Sequence, residues 1–336
     1  MSNFVRIAGS SAVNGISFMS LAGIYKQSSP LSQFLLIMFL LITLLIFSTL
    51  LGLLMLIPFY GVSIVREFST LTNYTDPRVI SLLKYFQIVN QLGILVLPPV
   101  LFAWLVDRVP FQYLRADKKP DWRNLLLAIL LIFTSMPLIG WLVELNEAMH
   151  LPSWLPGLEA WMKSSEANAA KITEAFFTTG SISGLLLNML MIAVLPAIGE
   201  EFLFRGVFMR VFIRWLKNNH AGIWIAAFLF SAIHMQFYGF FPRLLLGAAF
   251  GYIFIWTGNI WIPVAAHFVQ NATSVMVAWL AGRGIISASA DDFGQSDNIF
   301  IIAASAICIA LLLVVIYKSG KIRAANGTAN PDIEIS

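Results

Sequence analysis

The stretch Gly184–Met209, GLLLNMLMIAVLPAIGEEFLFRGVFM, carries Glu200, Glu201 and Arg205 inside a run otherwise apolar enough to cross a bilayer. Charge in such a run is costly and is usually functional. Two further apolar segments contain Phe230-Ser-Ala-Ile-His234 and His267-Phe-Val-Gln-Asn271. Acids, imidazoles and an amide thus recur where a passive membrane helix would carry leucine, and together they point to an active site built within the membrane.

Composition agrees. The chain has 336 residues, 59% hydrophobic and 11% charged, with a mean hydropathy of +0.81, whereas a soluble globular protein carries about 25% charged residues. The fold class expected is all-α, a polytopic membrane helix bundle. Cys308 is the single cysteine, which excludes an intramolecular disulfide and a cysteine metal cluster. The formal net charge of +4 gathers in a few loops, where it reports orientation. It gives no reason to expect nucleic-acid binding.

Apolar runs long enough to span, by the ~20-residue criterion, fall at about 31–59, 80–106, 124–143, 181–203, 222–238, 242–257, 260–281 and 298–317, which makes about eight transmembrane helices. The sixth is short and carries Gly247 and Gly251; small residues let helix backbones approach in lipid, so it is expected to be central. The organisation read from this is a polar segment 1–30, N-terminal transmembrane helices 31–150, a loop 151–180 on the non-cytoplasmic side, a core 181–282, a last transmembrane segment 283–317 and a disordered tail 318–336. The first apolar run is about twice the length of a signal peptide's core and is read as retained.

Basic residues cluster in 107–123 (Arg108, Arg115, Lys118, Lys119, Arg123), in 205–217 (Arg205, Arg210, Arg214, Lys217) and at the start of the tail (Lys318, Lys321, Arg323). Eight spans with both termini cytoplasmic put all three on the cytoplasmic side. The acidic loop 144–180 and the loop bearing Asp291, Asp292 and Asp297 then face the other way. Within 144–180, Trp154, Leu158, Trp161 and Met162 alternate with polar residues at near-helical spacing. That pattern suits a helix in the membrane interface and equally a plain connector with aromatic anchors.

Adjacent helical residues point about 100° apart, so Glu200 and Glu201 have different surroundings. Glu201 and Arg205, at i and i+4, can pair on one face, leaving Glu200 as the unpaired carboxylate and a candidate general base. A structural ion-pair network is the alternative. Phe230 and His234 share a face, as do His267 and Asn271, whose imidazole and amide suit donors aimed at a developing oxyanion. His150 and His220 fall at loop positions and are set aside.

In order and spacing, Glu-Glu-x-x-x-Arg (Glu200, Glu201, Arg205), Phe-x-x-x-His (Phe230, His234) and His-x-x-x-Asn (His267, Asn271) resemble the three signature motifs of the CPBP family, the CAAX prenyl proteases and bacteriocin-processing enzymes, or type II CAAX endopeptidases. The resemblance covers about residues 181–282; Arg243 and the Gly-rich stretch after it are also similar, less specifically. It implies an intramembrane endopeptidase in which Glu200 and His234 activate a water, His267 and Asn271 steady the oxyanion, and Glu201, Arg205 and Phe230 support them. The implied substrate is a membrane-embedded or lipidated protein or peptide cleaved in CAAX-type, leader or signal-peptide processing. The expected location is an integral position in the lipid bilayer, and the compact chain without targeting sequences suggests a bacterial cytoplasmic membrane.

Two mechanisms stay open, because Glu200, His234 and His267 can hold zinc with an open position or bind water directly. There is no His-Glu-x-x-His helix, and asparagine is an uncommon zinc ligand, which tilts the reading toward a metal-free, glutamate-dependent route. With the topology above, His267 is about seven residues, ~10 Å, from the cytoplasmic end of its helix, so the cavity is expected to open to the cytoplasm. Arg210, Arg214 and Lys217 would then line its rim, or only fix topology. Two other functions compete: a transporter with a buried proton relay, disfavoured because the charged motif residues in the membrane all follow residue 199, and an inactive membrane scaffold on the same fold.

Overall fold

The computed structural model describes residues 21–64, 73–177, 180–287 and 293–325. Most of the polar N-terminal segment, Asp291 and Asp292, and residues 326–336 of the tail lie outside the described residues, while residues 318–325, expected as disordered tail, continue the last helix. Every regular element described is helical. The long helices are α1 (Pro30–Tyr60), α2 (Pro77–Val106), α3 (Trp122–Glu147), α4 (Pro156–Phe177), α5 (Ile182–Leu216), α6 (Asn219–Ala232), α7 (Phe240–Thr257), α8 (Trp261–Gly282) and α9 (Ile299–Ala325).

Their starts follow from local chemistry. The side chains of Ser29, Asp76, Asp121, Ser181 and Asn218 each accept a backbone N–H of the first turn of the helix that follows, satisfying donors that have no partner within the helix. Pro30 and Pro77 stand at the first helical position, where a missing N–H costs nothing.

Among the described residues seven helices are long and apolar enough to cross a membrane: α1, α2, α3, α5, α7 with its preceding turn, α8 and α9. With mean hydropathy this high and outward-facing Leu35, Phe39, Ile42, Ile46 and Leu50 on α1, the chain is an integral membrane protein. The apolar run at 222–238 yields only the 14-residue α6, ~21 Å at 1.5 Å per residue. It stops because Met235 takes a left-handed backbone, φ 53°, which a helix cannot propagate.

α5 is the inner helix: all seven residues of Phe202–Phe208 are buried. α7 is the most buried of the other spans, half of its most apolar window lying inside the protein. Its two glycines explain how it packs on α6. A Cβ on Gly247 would sit 3.2 Å from Phe230 and 3.3 Å from Ala227, and one on Gly251 would sit 2.9 Å from Ile223.

The helix ends sort into two sets. At one end, Tyr25 N–H donates to Leu105 O, Arg214 donates to Gln33 and to the Ser28 carbonyl, and Arg210 donates to the Tyr113 carbonyl. Asn259 donates to Lys118 O there, and Gly320 of α9 meets Trp256. This is the basic end. At the other, Asn146 accepts from Phe241 N–H, and Lys84 and Asn188 both donate to the carbonyl of Phe176 near the C-terminus of α4, at 2.8 Å each. α4 therefore lies at the end opposite the basic loops, clamped to α2 and α5.

Candidate active site

The site is assembled by α5, α6, α7 and α8. Two stretches of α5, Met189–Val194 and Phe202–Phe208, are wound as wider π turns on either side of Glu200 and Glu201; such turns interrupt the regular hydrogen-bond ladder and often mark functional sites. In the first, the Ile192 carbonyl accepts Asn271 Nδ2 from α8 at 3.1 Å. In the second, Arg205 reaches back one turn to Glu201, Nη1 to Oε1 2.7 Å, with side chains 2% and 0% exposed. Its Nη2 donates to Gly247 O of α7 at 2.8 Å. The guanidinium carbon lies 4.8 Å from the Phe230 ring centroid and 5.5 Å from that of Phe250, a cation held against two aromatic rings. Charge, hydrogen bonds and packing thus fix Arg205 where water does not reach it.

Glu201 is shared. Its Oε1 also accepts from His267 Nδ1 at 2.9 Å, so α5 orients an imidazole carried by α8. With Nδ1 turned to Glu201, the Nε2 of His267 faces Glu200 Oε2 at 3.7 Å. His234 is oriented the same way from α6: Nδ1 lies 2.7 Å from the Phe230 carbonyl. A carbonyl can only accept, so Nδ1 carries the proton. The Nε2 of neutral His234 is then an acceptor, and it faces Glu200 Oε2 at 4.0 Å. The Phe230 ring meets the His234 ring edge-on at 5.1 Å and the His267 ring at 5.9 Å.

Glu200 Oε2 is therefore the point on which two imidazoles converge. Separations of 3.7 and 4.0 Å are too long for direct hydrogen bonds and suit one water bonded to both groups at about 2.8 Å. A tetrahedral metal with bonds of about 2.0–2.2 Å needs donor atoms about 3.3–3.6 Å apart. Among the described residues no three His, Cys, Asp or Glu side chains form a metal-binding group. The separations of Glu200 from His234 and His267 are wider than that spacing, and no step below is routed through a metal.

A cavity of about 580 Å³ holds this point. It is lined by Pro196 and Glu200 of α5, His267, Gln270 and Asn271 of α8, Phe230 and His234, and Arg243 of α7. Further walls come from α2, with Gln87 and Gln91, and from α4, with Ala169, Ile172, Thr173 and Phe176. Glu200 and His267 sit at its inner end, and the lining runs from them toward α4. This corrects the expectation of a cavity opening on the side of the basic loops: the helix directions carry Ile192, Asn271 and Gln91 away from that side. Arg210 and Arg214 are engaged at the basic end and do not line the cavity. Arg243 does line it, and braces the turn after His234 through Gln236 O at 2.9 Å and Oε1 at 2.7 Å.

All seven residues singled out by the motifs fall in one region. Glu200, His234, His267, Asn271 and Phe230 line the cavity, while Glu201 and Arg205 stand behind it. His150 pairs with Glu159 and His220 with Tyr252, both outside the site. Sequence reasoning missed Gln87, Gln91 and Gln270, and the α4 wall. The two glutamines of α2 were visible only as an i, i+4 polar pair in an otherwise ordinary membrane span.

The fold and site define a polytopic membrane protein with a buried Glu–His centre, and similarity to known proteins is consistent with this. Residues 182–273, which contain all three motifs, match the family model described as Type II CAAX prenyl endopeptidase Rce1-like, so the resemblance read from the motifs is borne out over this segment. The uncharacterized protein YpbD of Bacillus subtilis (strain 168) is 28% identical over 116 residues, 33% of this chain and 54% of that protein. An uncharacterized 24.3 kDa protein of Escherichia coli is 27% identical over 142 residues, 41% of this chain and 63% of that protein. The chain thus spans between half and two thirds of the length of these curated relatives. No solved structure gives a significant match.

Proposed function

We propose that this chain is an intramembrane endopeptidase that hydrolyses a peptide bond of a membrane-associated protein or peptide by a metal-free, glutamate-dependent route. The observation that carries the reading is the convergence of the Nε2 atoms of His234 and His267 on Glu200 Oε2, at 4.0 and 3.7 Å, at the inner end of a cavity within the membrane bundle. The family match over residues 182–273 supports the same activity.

The chemistry follows from the tautomers. A water between Glu200 and His234 donates one hydrogen to the carboxylate and the other to His234 Nε2, leaving a lone pair free for the substrate carbonyl carbon. As the C–O bond forms, its proton passes to Glu200. The carbonyl oxygen becomes an oxyanion, which the second N–H of Asn271 Nδ2 stabilises beside His267. Glu200 then returns the proton to the leaving nitrogen, the C–N bond breaks, and a carboxylic acid and an amine leave. Glu201 and Arg205 act through His267 as positioning residues.

By the Lys/Arg rule the basic end is cytoplasmic, so both chain ends are cytoplasmic in a bacterial membrane and the α4 end of the cavity faces the opposite side. Substrates are leader, signal or lipidated peptides held in the bilayer. The test is hydrolysis of quenched peptides by purified protein in lipid vesicles, compared with Glu200→Gln. Equal turnover by the two proteins would reject the assignment.

A further inference from the structure

The α2 wall of the cavity carries Gln87 and Gln91, one helical turn apart, and neither belongs to the motifs. Gln91 is 7% exposed, and its Oε1 is buried without a hydrogen-bond partner. A buried amide oxygen without a donor is uncommon and calls for one. Four residues further along α2, Leu95 packs on Gly199 so closely that a Cβ there would lie 2.6 Å from Leu95 Cβ. Gln91 is thereby held one turn away from the backbone that carries Glu200.

We propose that Gln91 and Gln87 bind the main chain of an extended substrate segment running from α4 down to Glu200. The proposal rests on the peptidase reading above. Peptide groups entering a low-dielectric interior must find hydrogen-bond partners, and the described residues contain no β-strand whose edge could offer them. Side-chain amides can, because each presents both a donor and an acceptor and can turn either toward its ligand. The spacing fits: four helical residues rise about 6.0 Å, close to the roughly 6.6 Å between alternate residues of an extended chain. Gln270 faces the same cavity from α8, giving the opposite edge of the peptide a third amide. Recognition of main chain rather than side chains gives a site that demands an unfolded segment and tolerates many sequences.

The test uses full-length protein in phosphatidylcholine vesicles and a library of internally quenched decapeptides. From the peptide turned over or bound best, a series is made in which single main-chain N–H groups are replaced by ester oxygens. The expected result is that Gln91→Met raises KM by roughly threefold to tenfold with little change in kcat, the worth of one neutral hydrogen bond. One ester should weaken the wild type by a similar factor and leave Gln91→Met unaffected, and Gln87→Met should respond in the same way to an ester two residues away. Ester penalties identical in wild type and both variants would overturn the proposal. Binding to Glu200→Gln, followed by fluorescence anisotropy, separates the two readings. An ester penalty in binding that Gln91→Met abolishes, without any turnover by wild type, would keep the main-chain site and reject the peptidase; no peptide binding at all would overturn the site itself.

Discussion

Glu201 Oε1 accepts Nδ1–H of His267 at 2.9 Å, joining helices whose contacting residues are 66 positions apart. The same oxygen takes the Arg205 guanidinium at 2.7 Å. One carboxylate therefore both neutralises a buried cation and fixes which nitrogen His267 turns to Glu200. Glu201→Gln keeps the size of the side chain and removes its charge. It is expected to destabilise the protein by about 3 kcal/mol or more, because Arg205 is left buried and unpaired, and to lower turnover by releasing His267. Thermal unfolding in detergent and peptide hydrolysis check the two effects.

Arg205→Ala removes the other half of the pair, the bond to Gly247 O and the packing on Phe230 and Phe250. The expected loss is about 3–5 kcal/mol. Arg205→Lys should recover only part of it, since an ammonium cannot present the planar fork that reaches Glu201 and Gly247 together. A variant Arg205→Ala that unfolds at the wild-type temperature would contradict the ion-pair argument.

Glu200 behaves differently, because among the described residues its partners are the two imidazoles at 3.7 and 4.0 Å, beyond hydrogen-bond distance. Glu200→Gln should leave the unfolding temperature within a few degrees of wild type while turnover falls by at least 10²-fold, the usual scale for a lost general base. Circular dichroism melts and a hydrolysis assay on the same preparation decide this.

Same-helix relationships were legible in the sequence. Glu201 with Arg205 is an i, i+4 pair within one helix, and Phe230 with His234 has the same spacing across the end of α6, where His234 falls on the turn after Ala232. The all-α membrane class was equally plain from the apolar runs. The shared bond from Glu201 to His267 was not, because it depends on which helices abut. Nor was the end of α6 at Ala232, since the run continues apolar through Met235 and only a left-handed residue there stops the helix. The side toward which the cavity runs was misread because one helix's offset of His267 cannot show where α4 packs. Gln91 escaped notice because a glutamine in a membrane span acquires meaning only when a cavity and Gly199 are beside it.

Gly199 supplies a test of that packing. A methyl group there would meet Leu95 Cβ at 2.6 Å and the Leu95 backbone at 3.0 Å, and backbone cannot move aside cheaply. Gly199→Ala is expected to cost about 1–3 kcal/mol by overpacking and to reduce turnover by separating α2 from α5. Gly157→Ala, with nothing within 4 Å of the added Cβ, serves as the silent control.

The spacing of Glu200, His234 and His267 predicts that exhaustive dialysis against a chelator leaves hydrolysis unchanged and that elemental analysis finds no stoichiometric zinc. Loss of turnover on chelation, restored by added zinc, would require the three side chains to close on a metal.

Peptides released from membranes bearing wild type or Glu200→Gln, compared by mass spectrometry in ¹⁸O-labelled water, give the most direct test of whether the convergence on Glu200 performs hydrolysis. New C-termini carrying one labelled oxygen should form with the wild type alone. The same labelled termini in equal yield from Glu200→Gln, or none from either, would contradict an endopeptidase built on this carboxylate.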